Sequence, residues 1–324
     1  MLTGRKFTHI VVPVHEIRMG KKEMTAELAG NQWDVKRLAG ALGAEVRGIK
    51  LASADEGDRA EIKRLLVKHM VLFFPEQHMT QDEHVAFGKP FGPLEGHPNL
   101  SDNNVTRHPE IFQLVASEGG IADEWHTDLT FQAQPALTSI LNMVKCPETG
   151  GDTMWSNACA AYDALSRPLQ EMCEGLSALH DAHPHGVPEK MAIHPVVRLH
   201  PETGCKALYV SEHFTRRIVE MSAPESDHLL GFLTNWVQSP RFTVRYNWTA
   251  GTIGMWDNRA TQHYVLNDFE GERIIQRVTV VGDQPDGPGP RWQPWTKTAP
   301  RSAMSRHDRQ LNQFLEERAA QAAE

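Results

Sequence analysis

Between Thr138 and Val281 the chain is broken into short apolar stretches separated by turns: Thr138 to Val144, Thr153 to Ser156, Val196 to Leu199, Leu208 to Val210, Phe242 to Trp248, Thr252 to Trp256 and Ile274 to Val281. Runs this short, with Gly and Pro between them, have the length of strands and not of helices. In one run the alternation is strict. Phe242, Val244, Tyr246 and Trp248 interleave with Thr243, Arg245 and Asn247, so one face is apolar and the other polar. A strand of that kind must lay its apolar face on a second layer. Many of them together point to a sandwich or barrel, and no internal repeat is visible.

Helical signals surround this strand-rich centre, so the fold class is mixed α/β and β-rich. Strands are expected at Ala44 to Ile49 and Met70 to Phe74, with a helix from about Asp58 to His69 between them. Thr80-Gln-Asp-Glu83 and Ser222-Ala-Pro-Glu225 are capping boxes, in which hydroxyl and carboxylate satisfy backbone N–H groups at a helix start. The second opens a helix whose Leu229, Leu230, Leu233, Trp236 and Val237 form a core-facing stripe. Residues 1–35 read as an N-terminal arm, with a strand-like stretch from Phe7 to Val14 and a basic run from Arg18 to Lys22. The body spans residues 36–283. Residues 284–324 are a Pro-rich segment and a helical tail, whose Leu311, Phe314 and Leu315 dock on the body or on another subunit of an expected homo-oligomer.

The 324 residues carry 33 Lys+Arg against 41 Asp+Glu, and that net charge of −8 excludes nucleic acid as a partner, since phosphate binding needs a positive patch. The four cysteines are widely spaced without a C-x-x-C pair, which fits reduced thiols in a cytoplasmic protein. The early apolar run, Ile10 to Val14, is too short for a signal peptide or a membrane span. A small anionic substrate remains compatible if a few arginines gather locally.

With 17 histidines, spacing must decide which matter. His126-Thr-Asp128 is the only H-x-D, while His108-Pro-Glu110 and His200-Pro-Glu202 are H-x-E stretches interrupted by proline. On a strand, period two would put the His126 imidazole and the Asp128 carboxylate on one face. His263, at the end of Trp256-Asp-Asn-Arg-Ala-Thr-Gln-His263, is the best third ligand. Two histidines and one carboxylate, with positions left open, form the facial triad of non-haem Fe(II) oxygenases. Zinc hydrolysis is the chief competing use of such ligands, although closed structural zinc prefers four ligands and thiolates. Arg273 and Arg277, four residues apart on one strand, point the same way, and Thr153 follows the turn Gly150-Gly151. Guanidinium groups plus a hydroxyl suit the far end of a dicarboxylate.

Four ordered motifs carry a family resemblance: Trp125-His-Thr-Asp-Leu-Thr-Phe131, Gly150-Gly-Asp-Thr-Met-Trp155, His194-Pro-Val-Val-Arg198 and Trp256 to His263. From about Trp33 to Asp283 the chain resembles the taurine dioxygenase family of Fe(II)/2-oxoglutarate-dependent oxygenases. The resemblance implies a double-stranded β-helix, or jelly roll, with flanking helices. It implies His126, Asp128 and His263 as iron ligands, Thr153 and Arg273 on the far carboxylate of 2-oxoglutarate, and Arg277 between cosubstrate and substrate anion. His97, in Phe91-Gly-Pro-Leu-Glu-Gly-His-Pro98, matches a histidine that helps bind the sulfonate.

The implied reaction consumes 2-oxoglutarate and O2, releases succinate and CO2, and hydroxylates a small organic anion. A sulfonate or sulfate ester is favoured, with a phenoxyalkanoate or other carboxylate next; a non-catalytic jelly-roll binding protein is the reading from another class. Because Asp128 keeps the carboxylate position, hydroxylation is expected over halogenation. Ala122 stands where taurine dioxygenase has an amide near the substrate amine, which argues against taurine itself. The stretch between His180 and His194 is much shorter than the family's lid insertion, and its His183-Pro-His185 is expected at the surface or in the lid and not on a second metal.

Overall fold

Strands of the largest sheet run in the order Asp34–Arg37, Ala44–Arg47, Val71–Phe74, Ile253–Asp257, Ala136–Lys145, Ile274–Val281, Leu94–Glu95, with Ile111–Val115 also paired to Ile274–Val281. The computed structural model describes residues 33–99, 106–116, 119, 122–295 and 306–323. The stretches Phe7 to Val14 and Arg18 to Lys22 lie outside them. Every pairing in this sheet is antiparallel except Ala44–Arg47 with Val71–Phe74. That parallel pair needs a crossover, which the helix Glu56–His69 supplies.

A second sheet of three strands, Thr243–Tyr246, Thr153–Asn157 and Thr261–Val265, packs on the first. The alternation read from residues 242–248 holds: Phe242, Val244, Tyr246 and Trp248 are buried while Arg245 and Asn247 are exposed. Phe242 itself ends a 3-10 turn, Pro240–Phe242, its N–H donating to the Ser239 carbonyl at 2.9 Å and not to the ladder. Aromatic rings fill the space between the sheets. Phe73 of the large sheet stacks on Tyr246 of the small one with centroids 3.6 Å apart, and meets Trp155 edge-on at 5.1 Å. Gly254 lies directly under Trp248, where a Cβ would come within 2.6 Å of the ring.

Helices Glu56–His69 and Gln81–Gly88 cover the outer face of the large sheet through Ile62, Leu65, Leu66, Val85 and Phe87. Both capping boxes expected from the sequence are formed. A third, Asp55 with Asp58, starts the first helix at Glu56, two residues before the expected start. Helix Ala223–Val237 buries Leu230, Leu233 and Val237, with Leu229 and Trp236 half-buried against the same core.

A further antiparallel sheet joins Thr215–Ile218, Ser177–Ala182 and Val187–Pro195. The stretch from His180 to His194, read as a short lid, is therefore mostly strand, and only the turn His183–His185 projects from it. The tail helix Arg306–Ala323 docks on this sheet, with Leu311 buried against Leu179 and Val219. The molecule is thus mixed α/β and strand-rich, a jelly roll whose sheets are not closed into one barrel. No helix among the described residues is long and apolar enough to cross a membrane.

Two imidazoles locked into this framework link folding to pH. His84 is fully buried with its ring 2.9 Å from the Ile140 carbonyl, and burial pushes its pKa down to about 4. Burial does the same to His194, also to about 4. Below the ordinary histidine value of about 6.5 the unfolded chain takes up protons that the folded chain refuses until about pH 4, so stability is lost as pH falls through that window. Denaturant midpoints measured at intervals from pH 6.5 to 4 should decline steadily. A flat profile would mean that the folded chain does not hold these rings neutral.

Candidate metal centre and cosubstrate pocket

His126 and His263 are brought together by the backbone. The His126 N–H donates to the His263 carbonyl at 3.0 Å and the His263 N–H donates back at 2.8 Å, forming an isolated antiparallel bridge. Residues directly opposite in such a bridge project to the same side, and the two rings lie 4.0 Å apart. His126 and Asp128 do not share a strand, the condition under which period two would align them. Instead the chain turns at Asp128, and Leu129 adopts a left-handed φ of 60°. This turn still swings the carboxylate inward: Asp128 Oδ1 is 3.9 Å from His126 Nε2 and 4.0 Å from His263 Nε2. The three ligand atoms lie within 4.8 Å of one another, the one such group of histidine, cysteine or acidic side chains among the described residues.

Neighbouring groups set the charge state of each. The Nδ1–H of His126 donates to the Glu124 carbonyl at 2.8 Å, which leaves the Nε2 lone pair free. Burial lowers the pKa of both imidazoles, that of His263 to about 4, so both are neutral at physiological pH. Burial opposes ionisation of Asp128, but the Arg277 charge and the hydrogen bond from Ser139 hold the carboxyl below its ordinary value. Asp128 Oδ1 accepts from Arg277 Nη1 at 2.6 Å, and Oδ2 accepts from Ser139 Oγ at 2.7 Å. Asn258 ties the arrangement together. Its Nδ2 donates to Ser139 Oγ at 3.0 Å, while its Oδ1 accepts from Trp256 Nε1 at 3.1 Å and from the Asp128 N–H at 3.3 Å. Two neutral imidazoles and one ionised carboxylate on one wall of a cavity fit a divalent cation that keeps open positions.

The sequence pointed to neither Ser139 nor Asn258. Asn258 sits inside the Trp256 to His263 motif and could have been suspected there; Ser139 is one small polar residue in a buried strand. The competing H-x-E pairs do other work. His200 lies 3.0 Å from Asp257, and Glu202 accepts from Arg259 at 2.8 Å. His108 lies 2.6 Å from Asp82.

The cavity facing this wall holds about 260 Å³, and His97, Thr153, Arg273 and Arg277 line it together with the three metal-ligand candidates. Arg273 Nε donates to the Gly151 carbonyl at 3.0 Å, and its Nη2 reaches Thr153 Oγ1 at a long 3.4 Å. Gly151, at φ 66°, packs so closely that a Cβ would come within 3.1 Å of the Arg273 side chain. Trp248 Nε1 also donates to Thr153 Oγ1, at 2.9 Å, so the hydroxyl receives two donors and its own proton is left to donate. Arg273 is 2% exposed, and no carboxylate among the described residues stands within ion-pair distance of it. Burial brings its pKa down to about 10, so it remains charged at neutral pH. A buried cation without a counter-ion is costly and calls for an anion.

Arg277 occupies the same side of the strand as Arg273 but is engaged with Asp128, its guanidinium lying over Phe112 at 5.6 Å. At the mouth, His97 meets Phe112 at 5.0 Å and His185 at 4.8 Å between ring centroids. Pro184 and His185 of the hairpin tip line the cavity, whereas His183 is exposed. Ala122 contributes only a methyl group.

Residues 34–279 match the family described as taurine catabolism dioxygenase TauD, TfdA family. The alpha-ketoglutarate-dependent sulfate ester dioxygenase of Pseudomonas putida is 38% identical over 277 residues, covering 78% of this chain and 91% of that protein. The alkylsulfatase of Acinetobacter baylyi is 36% identical over 279 residues, covering 79% of this chain and 87% of that protein. The crystal structure of a taurine dioxygenase from Burkholderia xenovorans, 39% identical, superposes with a TM-score of 0.71 over 79% of this chain and 93% of that one. The chain belongs to the TauD/TfdA family and is an alpha-ketoglutarate (2-oxoglutarate)-dependent dioxygenase.

Proposed function

We propose that His126, Asp128 and His263 hold Fe(II), and that the enzyme hydroxylates a small organic anion, a sulfate ester or sulfonate being favoured. The reaction would consume 2-oxoglutarate and O2 and release succinate and CO2. One observation carries the reading: a buried arginine with no carboxylate at ion-pair distance among the described residues, Arg273, shares its cavity with two neutral imidazoles and an ionised carboxylate. When bound, the iron would couple decarboxylation of the cosubstrate to insertion of oxygen into the substrate. Arg273 and the free Thr153 proton would take the far carboxylate of 2-oxoglutarate. Ser139 and Asn258 keep the Asp128 carboxylate turned toward the imidazoles.

The rest of the cavity speaks to the substrate. Phe112, Leu114, Phe214 and Val265 give it apolar walls, with Arg277 and His97 as polar groups beside them. An anion with an apolar body fits that lining, in keeping with the sulfate ester named for the Pseudomonas putida relative. Ala122 offers an amine no hydrogen bond, which disfavours taurine. Hydroxylation of the carbon that bears a sulfate ester gives a product that breaks down to a carbonyl compound and free sulfate. Phe112 and Phe214 could flank an aryl ring, so a phenoxyalkanoate is the second reading. Met172, Phe232, Trp292 and Trp295, all exposed in one surface groove, support a homo-oligomer.

Three measurements test this. Asp128→Ala and His263→Ala should each abolish succinate formation, and normal turnover in either would refute the ligand set. Arg273→Ala should raise the 2-oxoglutarate concentration needed for half-maximal rate by about 10- to 100-fold, the worth of a lost charged hydrogen bond, with the iron requirement little changed. Ser139→Ala should weaken metal binding by about 10-fold or more through loss of its support to Asp128, while an unaltered affinity would show that Ser139 does not orient the carboxylate.

A further inference from the structure

The turn that carries Asp128 is held from two sides by different sheets. Upstream, the small sheet holds it through the His126–His263 bridge and the Thr127 hydroxyl, which donates to the Thr261 carbonyl at 2.8 Å. Downstream the chain passes through Leu129 in the left-handed region, a conformation disfavoured for a branched side chain. The Gln132 N–H closes this turn on the Leu129 carbonyl at 3.0 Å. From there the segment leans on the hairpin of Ser177–Ala182 and Val187–Pro195, where Leu129 and Phe131 pack with Ala182 and Phe214.

His194 makes the polar part of that contact. It is 2% exposed, and its Nε2 lies 2.8 Å from the Thr130 carbonyl and 3.0 Å from the Gln132 carbonyl. Both partners only accept, so Nε2 carries the proton and donates to both. On the neighbouring strand, His180 Nδ1 lies 3.0 Å from Thr130 Oγ1. Two buried histidines of one hairpin therefore grip the residues immediately after Asp128 and its left-handed neighbour.

We propose that His194 is a positioning residue for Asp128. Its forked donation prevents the turn at Leu129 from relaxing and thereby keeps the carboxylate aimed at the two imidazoles. The proposal rests on the reading of His126, Asp128 and His263 as metal ligands. It separates His194 from the many buried histidines whose loss would only loosen the fold.

Co(II) binding to the 324-residue chain freed of metal by chelation, followed by visible absorption and set beside thermal unfolding, tests it without turnover. His194→Leu should bind Co(II) about 10- to 100-fold more weakly and with an altered spectrum. His194→Gln, whose amide N–H can reach the same carbonyls, should recover most of the affinity. If the Leu variant does not fold, His194→Asn, with a shorter amide that stops short of them, takes its place with the same expected loss. A Leu or Asn variant that unfolds earlier yet binds Co(II) like the wild type would overturn the proposal, as would a Gln variant that binds as poorly as they do. Failure of the wild type to bind Co(II) would instead overturn the metal reading beneath it.

Discussion

A two-bond backbone bridge between His126 and His263, residues 137 apart in sequence, is the constraint on which the centre depends. Side chains of long-range pairs rarely hold a fixed relation unless the backbone fixes it, and this bridge does so twice over. It puts the two imidazoles on the same side at a separation of 4.0 Å and leaves only the carboxylate to be placed. That last placement costs a left-handed residue at Leu129 and recruits support from three directions: Ser139 and Asn258, Arg277, and the hairpin with His194. The jelly roll provides all of these because both packed sheets and the turn of the neighbouring hairpin contribute residues to the lining of one cavity.

Much of this was legible in the sequence, for identifiable reasons. Ile274–Val281 was bounded as observed, since a long apolar strand flanked by charged and glycine residues has unambiguous ends. The capping boxes at Thr80 and Ser222 were readable because their chemistry is local. The seven candidate site residues are legible by type, spacing and family likeness, and the structure brings all seven to one cavity. The strand Ser177–Ala182 could not be read: all six residues are buried, so no alternation marks it, and His180 and Asp181 disguise it as a loop. The turn at Asp128 carries no local signature: one bridge and a left-handed residue, and not the period of a strand, place the carboxylate. Ser139 acquires its role through Asp128, to which it donates, and through Asn258, 119 positions away, which donates to it, and nothing local announces such contacts.

Charge then narrows what the cavity accepts. Among its lining residues the ionised groups are Asp128, Arg273 and Arg277, one negative and two positive charges, while burial lowers the pKa of all five lining histidines, His97, His126, His185, His213 and His263, and keeps them neutral. The wall therefore carries a net charge of one positive unit. A divalent cation and the dianion of 2-oxoglutarate add nothing to that sum, so the loaded pocket would keep the same excess. In a buried site an uncompensated charge is strongly disfavoured, and one monoanion cancels it. Alkyl sulfate esters, sulfonates and simple carboxylates all qualify, whereas a zwitterion such as taurine supplies no net charge and finds at Ala122 no partner for its ammonium group. Electrostatics thus supports the same substrate class as the apolar walls, and it does so without reference to the shape of any particular ligand.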